Sequence, residues 1–296
     1  MLSPIQSQPS IQVGQPAPAT RRSWGWWLVR LALFALALYV IWVALIVALQ
    51  DVIIFPGRYF LSSEGTRQAD VERVTLGNGP AAVFAWYEAG AGRSADLPGP
   101  AVLYVHGNLE TISERWAQLE PWRSAGISVL AMEYRGYPGG GGGAPSEASL
   151  VADARVCYDW LASRPEVDPR RIIFQGQSLG GGVVIQLSRD RRPAAVVLTC
   201  TAFSVEARAA ELGIPAFLCR NHFRNDLAIA ALDAPILIFH GRHDTTMPVS
   251  HGRRLAAAAR RARLIETEAD HRALRPDWTE VWGFLRENGV VDADSK

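Results

Sequence analysis

The sequence predicts an α/β fold: a mostly parallel sheet with helices on both faces, preceded by one transmembrane helix. Three observations carry this. From residue 101 onward, short apolar runs alternate with amphipathic stretches, the pattern of strands buried on both faces and the helices that cover them. The pentapeptide Gly176-Gln177-Ser178-Leu179-Gly180 stands between the apolar run Ile172-Ile173-Phe174 and a small-residue helical stretch, so it reads as strand, sharp turn, helix. Residues 31–49 carry no charged or strongly polar side chain, which is enough helix for a hydrocarbon core of about 30 Å.

Composition sets the outer limits. The chain has 296 residues, 49% of them apolar, enough for one large domain and a short appendage or for two small domains. A net charge of +1 argues against a nucleic-acid partner. The cysteines, Cys157, Cys200 and Cys219, show neither C-x-x-C spacing nor a metal-ligand pattern. Cys200 and Cys219 could pair in an oxidising compartment, whereas Cys157 reads as a small buried hydrophobe.

Residues 1–23, rich in Pro, Gln and Ser, are expected to be a disordered tail. Residues 24–50 form the expected anchor, with Trp24, Trp26 and Trp27 in the headgroup belt and Arg30 snorkelling toward it. A cleaved signal peptide is the rival, opposed by the length of the apolar stretch and the lack of an A-x-A site. Arg21, Arg22 and Arg30 flank one end and Asp51 the other. The positive-inside rule then puts the tail in the cytoplasm and the rest across the membrane, periplasmic in a bacterium. Residues 51–290 are read as the globular domain and 291–296 as a C-terminal tail.

Within the domain, 52–56 reads as a short extended link. Residues 71–76 and 81–87 read as an edge hairpin around Gly77-Asn78-Gly79-Pro80. Strands are expected at 101–105, 127–132, 171–175, 194–200, 235–239 and 263–266. Thr111-Ile112-Ser113-Glu114 has the form of a capping box opening a helix. A longer helix over 146–163 buries Leu150, Ala154, Cys157, Tyr158 and Leu161, and further helices cover 255–260 and 276–289. The five glycines 139–143 lack the Lys-Ser/Thr of a phosphate cradle and read as a flexible loop near the mouth of the site.

The pentapeptide suits a nucleophile elbow. Ser178 would be lifted above the sheet, and Gly176 and Gly180 would be glycine because side chains there would strike nearby backbone. A serine needs a base, and the base needs a carboxylate. In such sheets the order is Ser, acid, His, on loops past the strand ends. Asp244, after the strand 235–239, fits the acid. His271, after the strand 263–266 and the only histidine beyond Gly252, fits the base. Asp233 lies at the wrong end of its strand, and Asp270 adjoins the base. His240, His243 and His251 read as structural or exposed, and His222 lies in an irregular insert. The oxyanion donors are expected to be the N–H groups of Leu179 and of Asn108 in His106-Gly107-Asn108. Gly107 lets the backbone turn inward there, and His106 orients the loop by hydrogen bonding.

These residues resemble the α/β-hydrolase superfamily, and within it the membrane-anchored BEM46-like group, which includes ABHD13- and ABHD17-type proteins. The blocks that match are Val105-His106-Gly107-Asn108, Glu133-Tyr134-Arg135-Gly136-Tyr137 with Pro145-Ser146-Glu147, Gly176 to Gly181, and His240 to Asp244 with Pro248. The resemblance spans residues 51–289. It implies Ser178 as nucleophile, Asp244 as acid, His271 as base, and Asn108 and Leu179 as oxyanion donors. Two departures stand out: Tyr137-Pro138 leads into the glycine run, and Glu268-Ala269-Asp270-His271 replaces the usual Gly-x-Gly-His. The insert between Ser204 and Asp233 is short, which suits a small lid or an open site. The expected function is a membrane-anchored serine hydrolase acting on an ester or thioester of a small-molecule or lipid acyl substrate or an acylated protein, with no metal or organic cofactor. A peptidase or amidase on the same triad, and a silent scaffold, are the alternatives.

Overall fold

The computed structural model describes residues 24–63, 71–79 and 82–292. The two expected tails, 1–23 and 293–296 of the latter, and Pro80 and Ala81 of the expected hairpin lie outside the described residues. The chain divides into two compact units, residues 1–44 and 45–296.

The described part of the first unit is helical. It belongs to α1, Trp24–Ile54, whose 31 residues give a length of about 46 Å. The helix is long and apolar enough to cross a membrane by length and composition. Near its start, the Arg30 guanidinium lies 3.8 Å from the Trp26 ring centroid, a cation–π contact that keeps the charge beside an aromatic face.

The second unit begins with the last turns of α1. The extended link expected at 52–56 is not there. The helix continues through Ile54, and the Phe55 N–H still reaches the Asp51 carbonyl at 2.9 Å. Pro56 stops it, because proline has no N–H to continue the ladder. The β-branched run Val52-Ile53-Ile54 suggests extension, but the helix faces apolar neighbours and keeps its form. Phe55 is fully buried at the edge of the core, and the short α2, Gly57–Phe60, follows.

Next come β1, Glu72–Leu76, and β2, Val83–Glu88, then β3, Gly99–Val105. Thr111 caps α3, Ile112–Arg115, with the expected capping box, but the helix is one turn long. A 3₁₀ turn at Trp116–Leu119 leads into α4, Glu120–Ser124, and β4, Ser128–Met132. Helix α5, Glu147–Ala162, is capped by Ser146 and buries Leu150, Ala154, Cys157 and Leu161. Strand β5, Val167–Gln177, runs into α6, Leu179–Leu187, and β6, Ala195–Thr199, follows. After α7, Val205–Glu211, and a 3₁₀ turn at Ala216–Leu218 come α8, Asn225–Ala230, and β7, Ile236–Gly241. Helix α9, Val249–Ala258, β8, Ala262–Thr267, and α10, Trp278–Glu287, complete the order.

The eight strands lie in the order β1-β2-β4-β3-β5-β6-β7-β8. β1–β2 and β2–β4 are antiparallel, and every other pair is parallel. Successive residues face opposite sides, so each central strand feeds two cores. Leu103, Val105 and Phe174 pack with α5 and α6 on one side. Val102, Tyr104 and Ile173 pack with α10 and the Trp116 and Trp122 region on the other. Burying one such side chain contributes about 1.5–3 kcal/mol. The parallel register brings Val105 level with Gly176, Gln177 with Thr199, and Gly241 with Thr267. The loops after β3, β5, β6, β7 and β8 therefore emerge together at one edge of the sheet.

Candidate active site

Five loops meet at that edge. The Ser178 backbone has φ 50° and ψ −113°, a left-handed-side conformation rare for a residue with a side chain. The turn is held by the Ser178 N–H donating to the Thr199 carbonyl at 2.8 Å and by the Gly181 N–H donating to the Ser178 carbonyl at 3.1 Å. A Cβ on Gly176 would overlap the Gly181 backbone, and one on Gly180 would overlap the Val105 and His106 carbonyls. Both positions therefore need glycine to let strand, turn and helix approach so closely.

Ser178, His271 and Asp244 lie in one chain of hydrogen bonds. His271 Nε2 is 3.1 Å from Ser178 Oγ, and His271 Nδ1 is 2.6 Å from Asp244 Oδ2. The His271 side chain is 16% exposed and that of Asp244 fully buried, so the chain runs from the cavity surface into the protein. Met247 N–H donates to the other Asp244 oxygen at 2.6 Å. Burial acts to raise the Asp244 pKa, but the hydrogen bonds from His271, the Met247 N–H and the Cys200 thiol outweigh it and hold the carboxyl below its ordinary value. Burial pushes the Cys200 thiol up to about 12, so it stays a neutral donor. His240 Nε2 donates to the Met247 carbonyl at 2.7 Å and so braces the same loop.

Asp270 makes no hydrogen bond to His271 among the described residues. It is occupied by the N–H groups of Arg272 and Ala273, at 2.9 and 2.7 Å. His243 is exposed, and His251 is buried beside Glu211. His222 bonds Glu206 at 2.8 Å and is not among the residues lining the cavity at Ser178.

The loop after β3 is pinned from several sides. His106 Nδ1 donates to the Gly107 carbonyl at 2.7 Å, and Nε2 lies 2.8 Å from Glu133 Oε1. Burial opposes a charge on this ring, yet two oxygen partners prevail and its pKa is raised. The Gly107 N–H donates to Glu110 at 2.5 Å, and Tyr134 donates to the His106 carbonyl. The Asn108 carbonyl accepts from Tyr137 Oη at 2.7 Å and from the Gly57 N–H at 3.1 Å. Among the described residues no hydrogen bond uses the Asn108 N–H. Leu179 is the first residue of α6, where an N–H has no partner within its own helix.

Asn108, Ser178 and Leu179 line one cavity of about 340 Å³. Its other walls are mainly aliphatic and come from the end of α1 and from the segment between β6 and β7, including Val205, Leu212 and Ile214. The short insert, expected to form a small lid or leave the site open, supplies part of these walls. The glycine run behaves otherwise than expected. A Cβ on Gly140 or Gly141 would overlap the Tyr134 or Ala82 carbonyl, and none of residues 139–143 lines the cavity. It is a close-packed turn beside β2, and its glycines serve that packing.

The residues whose role at the site sequence reasoning missed are Gln50, Glu133, Tyr137, Cys200 and Met247. Only Gln50 carries a local signal, as a lone amide on an apolar helix. Glu133, Tyr137 and Cys200 are partners across the fold, up to 44 positions from the residues they hold, and Met247 lies three residues beyond Asp244 in the same loop.

A protein-family pattern described as serine aminopeptidase, S33, matches residues 96–221. Rv2307c of Mycobacterium tuberculosis is 39% identical over 165 residues, 54% of this chain and 58% of that protein. Human ABHD12B is 30% identical over 200 residues, 60% of this chain and 53% of that one. The match thus spans little more than half the length of these relatives. Esterase 2 of Thermogutta terrifontis superposes with a TM-score of 0.62 at 20% identity, covering 77% of this chain and 98% of the esterase. The chain has the α/β-hydrolase fold. Within that fold, Ser178 occupies the strand-to-helix turn after β5, and the loops of Asp244 and His271 follow β7 and β8.

Proposed function

We propose that the protein is a membrane-anchored serine ester hydrolase, with Ser178 as nucleophile, His271 as base, Asp244 as orienting acid, and the N–H groups of Asn108 and Leu179 as oxyanion donors. The observation that carries this is the unbroken chain from Ser178 Oγ through His271 to the buried Asp244, at 3.1 and 2.6 Å. In this reading His271 Nε2 takes the Ser178 proton as Oγ forms a bond to the carbonyl carbon. Collapse of the tetrahedral species breaks the bond to the leaving oxygen or sulfur, which takes the proton from His271. Water then repeats the cycle and releases the acid.

The aliphatic cavity supports an acyl ester or thioester as substrate. The apolar α1 and the arginines at or before its N-terminal end, Arg21, Arg22 and Arg30, support a membrane anchor with the domain on the far side. An anchor followed by this domain also supports kinship with the BEM46-like group, with 24–50 as anchor, its last turn shared with the catalytic domain of 51–290. The serine aminopeptidase match favours a second reading, amide cleavage on the same triad. Turnover of an ester and the matching amide, measured side by side, separates the two.

Thermogutta esterase 2 has been solved phosphorylated by paraoxon. A fluorophosphonate probe is therefore the first test. The wild type should label in detergent and Ser178→Ala should not. A folded wild type that does not label overturns the assignment.

A further inference from the structure

The end of α1 enters the site itself. Ile46, Val47, Gln50, Ile53 and Ile54 share one helical face and line the cavity that holds Ser178. Gln50 sits at the centre of this face and is the buried residue of α1. Its Nε2 donates to the Leu218 carbonyl at 3.3 Å and to the Val47 carbonyl at 3.0 Å, while its Oε1 accepts from the Arg220 N–H at 2.7 Å. One amide thus satisfies two backbone groups of the lid segment, whose Leu218 and Cys219 line the same cavity. Arg220 adds an ion pair to Asp51 at 3.3 Å and reaches the Val47 carbonyl at 3.4 Å. The helix end also touches the loop after β3: the Asn108 side-chain amide donates to the Ile54 carbonyl at 3.3 Å. A helix that served only to hold the protein in place would need neither an amide latch nor a face turned to the serine.

We propose that residues 46–54 of α1 form the acyl-chain wall of the site, that Gln50 latches the 218–220 segment over it, and that the pocket takes the single unbranched aliphatic chain of an ester. This rests on Ser178 being the nucleophile. The volume of about 340 Å³ is near the lower end for ligand pockets, room for one chain beside the serine. With an aliphatic lining, kcat/KM should rise by roughly fourfold per added methylene until the pocket is full.

The test uses the full chain in detergent and p-nitrophenyl esters from acetate to palmitate. Ile46→Trp and Val47→Trp should each lower the decanoate-to-acetate ratio of kcat/KM by at least about tenfold, since a filled pocket excludes several methylenes. Leu49→Trp, which is 41% exposed and outside the lining, should keep the wild-type ratio. Gln50→Leu keeps the bulk but removes the latch, and should raise KM for decanoate more than for acetate. If the tryptophan variants do not fold, the pair Ile46→Ala and Val47→Ala should move the preferred chain to greater length. Variants that label with fluorophosphonate yet keep the wild-type chain-length profile overturn the wall. A wild type that neither labels nor turns over acetate overturns the hydrolase reading instead.

Discussion

Ser178 keeps its unusual backbone because β5 and α6 meet with no room between them. Such a conformation stores about 1–3 kcal/mol in a residue with a Cβ. Ser178→Gly should therefore raise stability by about 1 kcal/mol, a midpoint increase of roughly 2–4 °C for a domain of this size, while activity is lost. An unchanged or lower melting midpoint would count against strain at the elbow. Asp244→Asn should leave the fold intact but present the wrong His271 tautomer, lowering kcat by about 10⁴-fold. Cys200→Ala removes one donor to Asp244, an effect of about 1 kcal/mol, so kcat should fall by about fivefold. A Cys200→Ala enzyme with wild-type kcat would reduce that thiol to a packing residue.

At the scale of elements, the elbow and the loop after β3 depend on each other. Gly180→Ala would drive a methyl into the Val105 and His106 carbonyls and should cost about 1–3 kcal/mol in thermal or urea unfolding. Protonation links these elements to pH. Burial lowers the pKa of His240 and of His251, so below about pH 6.5 the unfolded chain binds protons that the folded chain refuses, and stability falls with falling pH. His106 has the opposite sign. Its folded pKa is raised, so its contribution is full below about 6.5 and is lost as pH rises through the folded value. The melting midpoint measured from pH 5 to 9 should therefore fall on both sides of an optimum, and His106→Gln should flatten the alkaline side. An alkaline slope unchanged in His106→Gln would show that the loss arises elsewhere.

For the whole molecule, the division at residue 44 separates two uses of one helix. Deleting residues 1–44 should move the protein from the membrane fraction to the soluble fraction and leave esterase turnover measurable. Deleting residues 1–54 should abolish turnover, because the Asn108 contacts, the cavity wall and the Gln50 latch go with it. Equal activity in both truncations would confine α1 to anchoring.

The alternation of apolar runs and amphipathic stretches was enough to read the parallel sheet, because strands buried on both faces must be continuously apolar. The spacing of Gly176, Ser178 and Gly180, with Asp244 and His271 after later strands, was legible for a related reason: a sheet of this order brings those loops to one edge. Local sequence could not reveal the Cys200 thiol as a donor to Asp244, the pairing of His106 with Glu133, or the helical continuation through Ile54. Each depends on partners that only packing brings near. Gln50 shows the limit most clearly. On an isolated helix it is a polar interruption at the boundary of an anchor, and only the Leu218 and Arg220 backbone, folded over from far along the chain, makes it the buried latch of the pocket.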